Sequence, residues 1–264
     1  MRISVTRYPE GLEQAAHAHE RTTFSLVLAG ALRERVGRRE VTAAPFSIVV
    51  KPAGTVHDDV FGDQGATLVQ VALDIAESRR LASEPSAHSL SQWRWSHLGP
   101  ATPAFMQLAF AARCESAQSD KLEALAWDAL AALGDASCTG QHAGPPSWIV
   151  DVRAQLDECR PAPRARALAD AAGVHPIYLA RQFRRFFGCS MSTYAQRVRL
   201  RRVAACMRRP GSLSRVALEA GFSDQPHLCR MFRREIGVTP RAYRAMLTDR
   251  PSERLLADRL PVSG

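Results

Sequence analysis

Up to about residue 75, apolar positions come in short alternating or continuous runs. Phe24 to Ala29, Phe46 to Val50 and Ala66 to Leu73 are separated by Gly, Pro and charged clusters. Runs of this length between turn residues predict strands, so the first part of the chain reads as a compact all-β unit. From Pro103 to Leu133 the rhythm lengthens. Phe105, Leu108, Ala109 and Ala112, then Leu122, Leu125, Ala126, Ala129, Leu130 and Leu133, keep the three-and-four spacing of one or two amphipathic helices. Gly134 to Pro146 is a small-residue stretch ending in Gly-Pro-Pro, which predicts a linker. Beyond it the pattern is helical up to a polar tail after Asp249.

The helical part repeats itself. Leu179, Phe183, Gly188 and Tyr194 recur 49 residues later as Leu228, Phe232, Gly237 and Tyr243. Each copy has a short Ala-rich helix, a glycine (Gly173, Gly221), a turn, and a second helix with apolar residues at i and i+4, which is the helix-turn-helix pattern. The glycine supplies the positive φ that ends the first helix, and Pro176 and Pro226 fit a first turn, where a missing N–H costs nothing. With Leu179 and Phe183 turned inward, Ile177, Ala180, Arg181 and Arg184 fall on other sides, and Pro226, Cys229, Arg230 and Arg233 are their counterparts. Between the copies, Ser192 to Arg208 holds no Gly or Pro and predicts a rigid helical rod that places the two reading helices in successive major grooves.

Charge changes the picture because it is uneven. The 264 residues carry a net charge of +9, but up to residue 146 there are 13 basic against 16 acidic residues, and from Ser147 on 22 against 10. Two domains are expected at this length, and the excess cation belongs to the second. Of the 35 basic residues only Lys51 and Lys121 are lysines; arginine's planar fork suits phosphates and guanine edges. Arg181 and Arg230 share one repeat position in mid-helix, where an arginine can grip guanine O6 and N7, while Arg185 and Arg234 lie farther along, toward phosphates. The six cysteines form no C-x-x-C pair, so most should be small buried thiols rather than a disulfide framework or a zinc site. No apolar run reaches membrane length and no secretory signal is present, so the expected location is cytoplasmic.

The second copy, Gly221 to Arg244 (GFSDQPHLCRMFRREIGVTPRAYR), resembles the signature of the AraC/XylS family of bacterial transcription regulators, whose DNA-binding region joins two helix-turn-helix motifs by a long helix. The resemblance implies base reading by His175, Ile177, Ala180 and Arg181 in the first copy and by Gln225, Pro226, Cys229 and Arg230 in the second. Arg184, Arg185, Arg233, Arg234 and Arg201 are then phosphate contacts. In the first domain, Gly11-x5-His17-x-His19 followed by Gly30, and Pro52-x-Gly-x-x-His57, resemble the two short motifs of the cupin fold, a small β-barrel. The glutamate that metal-binding cupins carry after the second histidine is replaced by Thr23 or Phe24, with Glu20 adjacent to His19 instead, and Phe61 replaces the end of the second motif. His17, His19 and His57 therefore stand open between a three-nitrogen metal site, a metal-free ligand pocket or barrel mouth, and ordinary surface histidines.

These observations predict an α+β chain. Residues 1–140 form a cupin-like β-barrel with following helices that senses a ligand or mediates dimerisation. Residues 147–250 form an all-α domain with two helix-turn-helix motifs joined by a long helix. The implied function is a non-enzymatic, sequence-specific transcriptional regulator, an activator under small-molecule control. Its partners would be double-stranded promoter DNA, RNA polymerase and a second copy of itself, with no assured cofactor beyond a divalent metal at the histidines. The competing readings are a metal-dependent cupin enzyme fused to a DNA-binding domain, a ligand-independent regulator, and a redox regulator acting through Cys229.

Overall fold

A computed structural model describes residues 1–83, 90–113, 118–134, 145–159 and 162–248. Most of the linker expected over Gly134 to Pro146, Cys114, Cys138 and the tail after Asp249 lie outside the described residues. Contacts group the chain into two units, one of Met1–Ala136 with the segment from Cys229 onward, the other of Ser137–Leu228.

The first unit is built on one antiparallel sheet. Its strands are β1 (Arg2–Tyr8), β2 (Glu13–His17), β3 (Thr22–Val36), β4 (Arg39–Ala43), β5 (Ser47–Lys51), β6 (His57–Leu73) and β7 (Arg94–His97). They are paired in the order β1-β6-β3-β5-β7, with β2 added to β6 and β4 to β3. The expected apolar runs lie in strands except for Phe46, which sits in the turn before β5. β3 and β6 are long because each serves two neighbours in succession: β3 pairs with β5 through Thr23–Leu26 and with β4 through Leu32–Val36. They bend where their ladder shifts register, between Val27 and Ala29 and between Gly30 and Leu32. Gly30 has φ +81, and a Cβ there would stand 1.9 Å from the Gly65 carbonyl oxygen, so only a residue without a side chain permits this approach.

The expected cupin-like barrel is not formed. β1 and β7 end the pairing path, β2 and β4 are branches, and among the described residues no ladder joins one edge to another. The histidine motifs that suggested a barrel report local geometry, since His17 does pair with His57 across β2 and β6. Closure depends on whether distant edge strands meet, which those motifs do not encode. The sheet is not closed, and Val27, Leu32, Ala43, Phe61, Ala66 and Leu68 form one buried cluster on it.

Helix α1 (Ile75–Ala82) follows β6, and the one or two amphipathic helices expected over Pro103 to Leu133 are two, α2 (Thr102–Ala112) and α3 (Ser119–Gly134). Phe105, Met106, Leu108 and Ala109 of α2 and Ala126, Ala129, Leu130 and Leu133 of α3 are buried within the chain, so most of that apolar face is already covered.

The second unit holds α4 (Ser147–Glu158), α5 (Ala165–Ala171), α6 (Pro176–Phe187), α7 (Met191–Cys206) and α8 (Leu213–Ala220). Ile149, Val152 and Leu156 of α4 cover Leu168, Ala169, Leu179, Phe183 and Ala195, so the repeat's first copy is sealed by the helix preceding it. Tyr194 adds a hydroxyl donated to the Asp157 carboxylate at 3.0 Å. The second copy is preceded by α7, which packs against α8. Its second helix α9 (Gln225–Ile236) crosses the unit boundary, and α10 (Pro240–Thr248) belongs with the sheet. The repeat-equivalent Tyr243 donates its hydroxyl to the Leu28 carbonyl of β3 at 2.6 Å. The Phe46 ring lies 5.8 Å from Phe232 and 5.3 Å from Tyr243. Phe46 holds φ +72 while fully buried, a backbone cost that its packing must exceed.

Candidate nucleic-acid interface and the histidine cluster

In both copies the turn between the helices is set as expected. Gly173 and Gly221 take φ +65 and +87. His175 Nδ1 accepts the Ile177 N–H at 3.3 Å to cap α6, and Asp224 Oδ1 accepts the His227 N–H at 2.6 Å to cap α9. Leu179, Phe183, Leu228 and Phe232 are fully buried. That orientation leaves His175, Ile177, Ala180 and Arg181 exposed in one stripe, with Arg184 and Arg185 following them. Ile177 is 67% exposed and the neighbouring Tyr178, which pattern reading missed, 49%. An isoleucine this open on the second helix of the motif has gained nothing from burial in the fold itself.

In the second copy Pro226, Arg230, Arg233 and Arg234 are exposed, while Gln225 and Cys229 are half-buried. Ser214 donates its hydroxyl to Gln225 Oε1 at 2.8 Å, which fixes that amide from the preceding helix. Arg234 is paired with Glu235 at 2.9 Å. The expected rod is α7, whose 16 residues span about 24 Å at 1.5 Å each. Its arginines are not equivalent. Arg202 donates to the Asp157 carbonyl, and Arg199 donates to the Gly221 carbonyl while lying over the Phe222 ring at 5.4 Å, so both hold helices together. Arg201 is half-buried and, with Arg184 and Arg197, acts on the Cys189 thiol. Burial pushes that thiol up by more than the three cations pull it down. Of the four described cysteines only Cys189 is buried, and Cys159 is exposed.

The histidines converge as well. The ring centres of His17, His19 and His57 are 4.4 to 5.1 Å apart, and one nitrogen from each lies within 4.8 Å of the others. A second set, Glu34, His57 and Asp59, is fully buried within the same span. In donor type and spacing this cluster is compatible with metal coordination. Pattern reading missed Glu34 and Lys51. The signal was available: Glu34 shares the inward phase of β3 with Leu32, and Lys51 ends the fully buried strand Ser47–Lys51. A charge in the apolar phase of a strand needs a partner. Here Lys51 Nζ is 2.7 Å from Glu34 Oε2 and 3.6 Å from Asp59 Oδ2, while the indoles of Trp93 and Trp95 donate to Glu34 Oε1 at 2.5 and 3.1 Å. Burial first, then the Lys51 charge, lowers both His19 and His57 to about 4; burial, partly opposed by Lys51, raises Asp59 to about 6.

A sequence-family model described as "Helix-turn-helix domain" matches residues 168–246. The region thus carries a helix-turn-helix DNA-binding fold. A curated protein of Proteus vulgaris, named "Probable transcription factor PqrA", is 31% identical over 78 residues; the match covers 29% of this chain and 64% of that protein's length. Among solved structures, a transcriptional regulator of Chromobacterium violaceum described as AraC-type is 26% identical over 39% of this chain and 89% of its own, with a TM-score of 0.34. ToxT of Vibrio cholerae is 11% identical over 94% of this chain and all of its own, with a TM-score of 0.37. Scores this low carry no structural argument by themselves. Among the described residues no helix is long and apolar enough to cross a membrane.

Proposed function

We propose that the chain is a sequence-specific transcriptional regulator of AraC/XylS type that binds double-stranded promoter DNA through both helix-turn-helix copies. The observation that carries this reading is the pair Arg181 and Arg230, exposed at the same repeat position on two capped helices whose opposite faces are fully buried. His175, Ile177, Ala180 and Arg181 read bases in the first groove, and Gln225, Pro226, Cys229 and Arg230 in the second. Ile177 and Ala180 suit thymine methyls. Arg184, Arg185, Arg201, Arg233 and Arg234 hold phosphates. Residues 147–250 act as the DNA-binding module. Residues 1–140 respond to a small molecule and form a homodimer in which the parts of α2 and α3 left uncovered take part. The regulator works in the cytoplasm at the nucleoid and activates by touching RNA polymerase.

Genome-wide mapping of bound sites supplies the operator on which the reading is tested. Arg230→Ala is expected to weaken operator binding by about 1 to 3 kcal/mol while leaving random-sequence binding nearly unchanged. Arg185→Ala is expected to weaken both alike and lower the salt slope. Equal losses on operator and random DNA for Arg230→Ala would remove its base-reading role.

A further inference from the structure

We propose that Lys51 is the resident cation of the histidine and carboxylate cluster, and that its ammonium group keeps a divalent metal out. This goes beyond the DNA-binding reading and does not depend on it.

The argument starts from His57, the residue common to both possible ligand sets. Its Nδ1 lies 2.9 Å from the Thr55 carbonyl oxygen. A carbonyl only accepts, so Nδ1 carries the ring proton and Nε2 holds the lone pair. That lone pair faces Lys51 Nζ at 3.0 Å, and an ammonium only donates, so the nitrogen a metal would need is already accepting a proton. The same ammonium forms ion pairs with Glu34 Oε2 at 2.7 Å and Asp59 Oδ2 at 3.6 Å. Lys51 therefore stands among the donors that would otherwise surround an ion, and its side chain is only 6% exposed. A metal bound there would face a cation it could not displace without stripping the ammonium of all three partners in a buried place.

Composition points the same way. In a chain that uses arginine at all but two of its basic positions, one of the two lysines occupies this site. An ammonium is a compact point charge with three donors, whereas a guanidinium is a flat fork too broad for the centre of such a cluster. The two indole bonds to Glu34 Oε1 turn its other oxygen toward Lys51, so the surroundings are arranged for the ammonium.

The test is a titration of the full-length protein with Co²⁺, followed by its visible absorption and by bound metal per chain after gel filtration. Wild type is expected to show no saturable binding up to about 100 μM metal, and Lys51→Ala to bind one ion per chain, which the added His57→Ala abolishes. Lys51→Met keeps the apolar stem should the alanine variant fail to fold. Stoichiometric binding by wild type would overturn the proposal, as would a folded Lys51→Ala or Lys51→Met protein that takes no metal. Operator binding measured on the same samples separates this outcome from any failure of the DNA-binding reading.

Discussion

His19 and His57 are held near 4 in the folded chain, against about 6.5 for a free imidazole. The unfolded chain therefore takes up two protons between about pH 6.5 and 4 that the folded chain refuses. Stability from this source is complete above pH 6.5 and is lost as pH falls through that window. Asp59 works in the opposite sense, because its folded value of about 6 lets the native state bind a proton first. One opposing proton against two leaves a net loss. The thermal midpoint is expected to fall from pH 6.5 to 4, and to fall less steeply in His19→Ala. A midpoint that is flat or rising over that window contradicts the account. Glu34, Lys51 and His17 face these groups from β3, β5 and β2, so the slope belongs to the cluster and not to one ring.

At the scale of elements, the turns after the reading helices and before them are both made by glycines, yet their surroundings differ. A Cβ on Gly173 would meet nothing within 4 Å, whereas one on Gly237 would stand 2.9 Å from the Pro103 backbone. Both have positive φ, +65 and +86, so each alanine carries a backbone cost of about 1 to 2 kcal/mol. Gly237→Ala must also push against Pro103, which adds about 1 to 3 kcal/mol. Urea unfolding of the two variants is expected to rank them in that order, and equal midpoints would mean that the Pro103 contact yields freely. The same elements show what could be read from the chain. The apolar runs of β3, β5 and β6 and the glycine-punctuated repeat were legible because burial on one face leaves a period in the sequence. β1, with every residue but Arg7 half-buried, has no such period, and neither do the edge strands β2 and β7. Lys51 and Glu34 were legible as misplaced charges, but their pairing joins strands far apart in the chain. Phe46 reads only as the start of an apolar run; nothing local says that its ring belongs with Phe232.

At the scale of the whole molecule the two copies of the repeat have different partners. The repeat suggests two equal modules on one rod, and the charge asymmetry suggests an acidic half and a basic half. In the folded chain α4 packs on the first copy, while in the second α7 packs on α8, and Phe232 and Tyr243 meet Phe46. Two tyrosines in register, Tyr194 and Tyr243, thus anchor their copies to different parts of the protein, one to Asp157 and the other to Leu28. Opening is therefore not shared evenly between the copies. Amides of α10 are expected to exchange with solvent at the rate of the β3 core, and amides of α7 with those of α4. Hydrogen exchange read by mass spectrometry distinguishes this from a repeat that opens as one body, in which α7 and α10 would exchange together. On this pattern, loosening of the sheet reaches Phe232 and Tyr243 through Phe46 and Leu28, while Tyr194 keeps its own partner at Asp157.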